Sequence, residues 1–107
     1  MRHARLIIHR LEVDHDEVTV SLATLMAVRR EATTDLDWEV VAKTVGATEP
    51  QLTSNDLRLV VVSGADESGA PVLSELAGPA VVVRYVDDTV VWRGDGALCG
   101  FEESWLR

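Results

Sequence analysis

Residues 80–93, from Ala80 to Arg93, constrain the fold more than any other stretch of the chain. Two runs of β-branched and aromatic residues flank Asp87 and Asp88, the pattern of two extended strands joined by a tight turn. A two-residue loop sets Val86 opposite Thr89, Tyr85 opposite Val90, Arg84 opposite Val91 and Val83 opposite Trp92. Val81, Val83, Tyr85, Val90 and Trp92 then share one face, and Val82, Arg84, Val86, Thr89, Val91 and Arg93 share the other. The first face holds both aromatic residues and neither arginine, so it is expected to point into the core.

The rest of the chain repeats this texture. In Ala4–Val13, Ile7, His9, Leu11 and Val13 alternate with Leu6, Ile8, Arg10 and Glu12, a strand with apolar residues on both sides. Asp14, His15, Asp16 and Glu17 form a polar turn. Residues 17 to 29 are expected to be a second strand rather than a helix, because Val18, Thr19 and Val20 would crowd three β-branched residues into a first helical turn. Leu36, Trp38, Val40 and Ala42 alternate with Asp37, Glu39, Val41 and Lys43, as in a strand with one wet face. Residues 46–56 and 64–71 hold most of the turn-forming types and are expected to be loops around a strand at 57–63. Pro71 is expected to open one short helical turn containing Leu73 and Leu76, closed by Gly78 and Pro79. Trp105 and Leu106 supply an apolar tail. Six or seven short strands in 107 residues predict one mainly β domain spanning residues 1–107, a small antiparallel sandwich or barrel with at most one short helix.

Charge and cysteine content exclude several functions. Ten basic against eighteen acidic residues give a formal charge of −8, the wrong sign for holding a phosphate backbone. Residues 2–10 are locally basic, whereas residues 36–107 carry five cations and twelve anions, a formal −7. Cys99 is the single cysteine, so neither an internal disulfide nor a thiolate zinc cluster is available from this chain. Neighbouring Leu98 and Phe101 suggest a buried, inert thiol. The first ten residues lack the apolar length of a signal peptide or membrane span, which makes a reducing cytoplasmic setting the expectation.

No catalytic, cofactor or metal set converges. His3 and His9 lie about 20 Å apart along a strand, too far to share a metal. Asp14 to Glu17 lack the glycine that a tight metal loop needs. Asp35, Asp37 and Glu39 are spaced about 6.6 Å apart on one strand face, within reach of acid–base work, but nothing nearby supplies the apolar pocket that would raise one pKa. Gly94 to Gly96 and Ser63 to Asp66 lack the P-loop lysine.

The residues therefore point to a non-enzymatic interaction or assembly domain that binds a protein partner or itself through an edge strand, and neither nucleic acid nor membrane. Arg2, Arg5 and Arg10 are expected to face carboxylates of a neighbour, with Asp35, Asp37 and Glu39 as the acidic counterpart. These arginines have an internal alternative in Glu12, Asp16 and Glu17 across the first hairpin. Other readings are a small-ligand binder or small enzyme with a pocket lined by Trp38, Tyr85 and Trp92, and an acidic inhibitor or immunity-type protein.

Overall fold

The computed structural model describes residues 1–31, 35–46 and 54–107. Its strands are β1 (Arg2–Val13), β2 (Asp16–Val18), β3 (Val20–Arg29), β4 (Leu36–Thr44), β5 (Ser54–Ala65), β6 (Pro71–Val86) and β7 (Thr89–Gly94), with one 3₁₀ turn at Glu103–Trp105. All pairings between them are antiparallel. The sheet order is β2-β1-β3-β4-β7-β6-β5, and a further pairing of β1 with β5 closes it into a six-stranded barrel with β2 as an extra strand.

The barrel consists of two sequential meanders. Residues 2–44 form β1, β3 and β4, residues 54–94 form β5, β6 and β7, and the halves join along two seams. In one seam β4 meets β7 from Glu39↔Arg93 to Lys43↔Thr89. In the other β1 meets β5 from Ile8↔Val61 to Val13↔Leu57.

Alternation builds the interior. Trp38, Val40, Ala42 and Thr44 point inward from β4, as Asn55, Leu57, Leu59 and Val61 do from β5. Trp92, Leu11, Leu25, Leu57, Leu59, Leu76, Val40, Val61 and Val90 are all less than 2% exposed or nearly so and fill the barrel with side chains. Each such burial contributes about 1.5–3 kcal/mol, so the packed interior is the main source of stability.

Among the described strands the register shifts at Ile8/Arg10, Val20/Leu22, Val62/Gly64 and Val82/Arg84 mark bulges, devices that bend a sheet. The last one corrects the expected hairpin face. The turn end has the predicted register, with Val86 opposite Thr89, Tyr85 opposite Val90 and Arg84 opposite Val91, but Trp92 faces Val82 instead of Val83. Val90, Trp92 and Val82 are buried, whereas the bulged Val83 is 48% exposed and Tyr85, at the rim, is 40% exposed. One extra residue thus reverses the inward parity of β6.

The expected helical turn at Pro71 is absent. β6 runs unbroken through Gly78 and Pro79, because a side chain at Gly78 would meet Trp38 at 2.9 Å and the Ala97 carbonyl at 2.7 Å. Gly94 is tighter still, with its missing Cβ directed into the Trp38 indole, whose Nε1 donates to the Gly96 carbonyl at 2.9 Å. The expected loop at 46–56 gives way to strand at Ser54, and residues 47–53 of it lie outside the described residues. The tail crosses the barrel end. Cys99 bridges Ala77, Arg107 exchanges backbone bonds with His3, and Leu98 and Leu106 are buried beneath.

Candidate interaction surfaces

The three aromatic residues expected to line a ligand pocket do not come together. Trp38 and Trp92 are packed inside the barrel, 3% and 2% exposed, whereas Tyr85, opposite Val90 at the rim, is 40% exposed. Trp92 donates its indole N–H to Asn55 Oδ1 at 3.2 Å, and Asn55 donates its amide to Asp14 Oδ2 at 2.8 Å. Asp14 also accepts from the Asp56 backbone N–H at 2.8 Å, and the two residues' backbones bond again through the Asp56 carbonyl. These contacts tie the β1–β2 turn to β5. The turn is a two-residue loop in which Asp14 and His15 both take positive φ, 51° and 73°, a conformation that aspartate tolerates better than most residues. The Asp56 backbone N–H, and next the Asn55 amide, hold the Asp14 carboxyl below its ordinary pKa.

The polar surface is laced with short-range pairs. Arg10 meets Glu17 at 3.1 Å and Glu12 at 3.9 Å, the internal alternative to an intermolecular contact. Arg2 reaches Glu103 at 3.7 Å and donates to the Leu106 carbonyl. Asp37 pairs with Arg30 at 3.2 Å and Glu39 with Arg93 at 3.9 Å. Asp35 and Asp37 line one surface cleft of about 570 Å³ that also includes Arg29, so arginines are interleaved with this acidic stripe. Among the described residues Arg5 makes no ion pair or side-chain hydrogen bond. Among the described residues no three His, Cys, Asp or Glu side chains are grouped to hold a metal. Cys99 is exposed, contrary to the burial expected from Leu98 and Phe101, because the bridge to Ala77 turns it outward while Leu98 points in.

Closure of the barrel removes most sheet edges. Among the described strands one free edge lies where β5 and β6 run past their other neighbours. β5 last pairs with β1 at Val61, and β6 pairs with β7 from Ala80 onward and with the tail at Ala77. Beyond these points Val62–Ala65 and Pro71–Leu73 pair only with each other among the described strands, as a two-stranded ribbon that starts at Val61↔Ser74. Val72 and Leu73 on it are 43% and 46% exposed. Its tip is built around Asp66, whose Oδ1 accepts from the Ser68 hydroxyl at 2.6 Å, the Ser68 N–H at 2.8 Å and the Ala70 N–H at 3.0 Å. Ser63 and Ser74 hydroxyls bond across its base at 2.7 Å. The sequence signal for this ribbon was the alternation through Val72, Ser74 and Leu76, which the Pro71 helix-start pattern obscured.

No family model, curated protein or solved structure matches this chain significantly. Among the described residues no helix is long and apolar enough to cross a membrane.

Proposed function

We propose that the chain is a non-enzymatic interaction domain that adds a strand of a protein partner to the open edge of the β5–β6 ribbon. The observation that carries this reading is the pair of backbone edges at Val62–Ala65 and Pro71–Leu73 left open among the described strands, with Val72 and Leu73 exposed on them. Main-chain hydrogen bonds to an edge supply affinity, and alternate side chains on the added strand supply selectivity. The Asp66 turn favours this use, because a tip already held by three hydrogen bonds leaves less to order on binding. The single, exposed Cys99 fits a reducing compartment such as the cytoplasm.

Native-lysate capture with mass measurement tests the proposal. Wild type is expected to retain a protein that Leu73→Lys loses while its thermal unfolding is unchanged, since a lysine on an open edge opposes strand addition. Equal capture by both proteins would remove the ribbon from consideration. Stabilisation of the chain by a small molecule in a thermal-shift screen, without any retained protein, would favour the ligand-binding alternative.

A further inference from the structure

On the outer face of the first meander, every nearest neighbour of Thr24 is an exposed apolar side chain. Ile7 lies opposite it on β1 and Val41 opposite it on β4, while Leu22 and Met26 flank it along β3. Their exposures are 51%, 36%, 59% and 45%. On a pleated face these positions are about 5 Å away across the strands and about 6.6 Å away along them, so the five residues form one continuous patch. Charged residues occupy its corners. Arg5 and Glu39 lie on either side of Met26, and Lys43 lies beside Leu22. Among the described residues Arg5 and Lys43 make no ion pair, and the Glu39 contact to Arg93 is long, at 3.9 Å.

We infer that this face is an isologous interface between two copies of the chain, with Thr24 on the two-fold axis. The corner charges choose the occupant. A face-to-face two-fold axis along the strands sets β1 of one copy over β4 of the other, so Arg5 meets the second copy's Glu39, and Ile7 packs on Val41. An axis across the strands instead sets Lys43 over the second copy's Glu39, and Leu22 over Met26. Either way a cation that is unpaired in one copy meets a carboxylate of the other, and no like charges among these three coincide. Opposed sheet faces with side chains of this size pack about 10 Å apart. An anionic lipid surface is disfavoured by the formal charge of −8 and by the absence of aromatic residues from the patch. The patch is smaller than the roughly 800 Å² per partner of a standard interface, so the dimer is weak and its population depends on concentration. This inference stands apart from the ribbon, which lies on the other meander.

Sedimentation equilibrium over a range from about 10 µM to about 500 µM tests it, the range appropriate to an interface of this size. Wild type is expected to pass from monomer to dimer. Thr24→Lys, which sets two ammonium groups against each other on the axis, is expected to shift the midpoint by tenfold or more and Glu39→Lys by several-fold, while Leu73→Lys on the ribbon leaves it unchanged. Circular dichroism melts of each variant confirm that the fold is kept, and Leu22→Lys provides a second, fully surface-facing disruption. Double charge exchange identifies the axis. Arg5→Glu with Glu39→Lys restores dimer if the axis runs along the strands, and Lys43→Glu with Glu39→Lys restores it if the axis runs across them. A wild type that stays monomeric throughout, or a dimer indifferent to both Thr24→Lys and Leu22→Lys, overturns the inference, as does a monomer that instead pellets with phosphatidylserine vesicles.

Discussion

Asn55 is hydrogen-bonded to Trp92 in the interior of the barrel, accepting the indole N–H at 3.2 Å from a position 1% exposed. Its other end reaches out to Asp14, so one side chain satisfies a buried donor and anchors a surface turn. Asn55→Leu leaves the Trp92 N–H without a partner and is expected to cost about 1–3 kcal/mol. Asn55→Asp is expected to cost more at neutral pH, because it sets a second carboxylate in a dry site facing Asp14. Urea unfolding of the two variants, compared at pH 7 and pH 4, checks the order and its narrowing as the new carboxyl protonates.

Asp14 links the same contacts to acid stability. Its folded pKa lies below the ordinary value of 3.8, chiefly through the Asp56 N–H and then the Asn55 amide. The sign follows from proton binding: the unfolded chain binds the proton more readily, so the contribution is complete above the ordinary value and fades as pH falls through the folded one. Asp14→Asn is expected to flatten the stability profile below about pH 4 while changing little of its slope near pH 7. Carboxyl NMR titration should find Asp14 and Asp66 both below the usual aspartate range, the latter held by the Ser68 hydroxyl and then the Ala70 N–H.

Glycine 94 lies beneath the Trp38 indole. Gly94→Ala directs a methyl group into the Trp38 ring, which is held in place by its bond to the Gly96 carbonyl. The expected cost is about 1–3 kcal/mol or more, while Gly64→Ala, with nothing within 4 Å of the added carbon, should stay within about 0.5 kcal/mol. Trp38→Leu should relieve much of the Gly94→Ala penalty, a non-additivity that a double-mutant cycle reads directly.

The bulge in β6 predicts unequal truncation costs along one hairpin. Trp92→Ala is expected to lose about 3–5 kcal/mol, whereas Val83→Ala and Tyr85→Ala should each lose less than about 1 kcal/mol. Denaturant midpoints for the three variants check it. A large loss at Val83 would return the hairpin to the unbulged face read from alternation.

The fold class and most strands were legible because alternation and turn chemistry are local. β4 spans Leu36–Thr44 as expected, since Leu36, Trp38, Val40 and Ala42 keep one parity without interruption. Bulges were not legible. A single inserted residue at the Val82/Arg84 shift has no compositional mark, yet it exchanges Val83 for Val82 in the core. Gly78 and Pro79 read as punctuation because their reason lies elsewhere in the sequence, in the Trp38 ring and the Ala97 carbonyl. The same distance hid the contact surfaces. Arg10 is matched by Glu17 across its own hairpin, but the patch around Thr24 needs the registers of β1 and β4 at once.

The two seams also determine how the chain must assemble. Neither meander is complete alone, since each would leave an inward face exposed, Leu25 and Val40 on one and Leu57, Leu59 and Leu76 on the other. Each seam joins positions about fifty residues apart, from Ile8↔Val61 to Glu39↔Arg93, so forming the first carries nearly all the loop-closure entropy and the second follows at little extra. Intermediates with one seam made are therefore expected to be sparsely populated and folding to be slow, as for other non-local β topologies, which single-exponential refolding kinetics would check. Fragment complementation is the expected outcome of the same geometry: peptides 1–46 and 54–107 should each give a disordered circular-dichroism spectrum alone and a β spectrum on mixing, as both seams zip together.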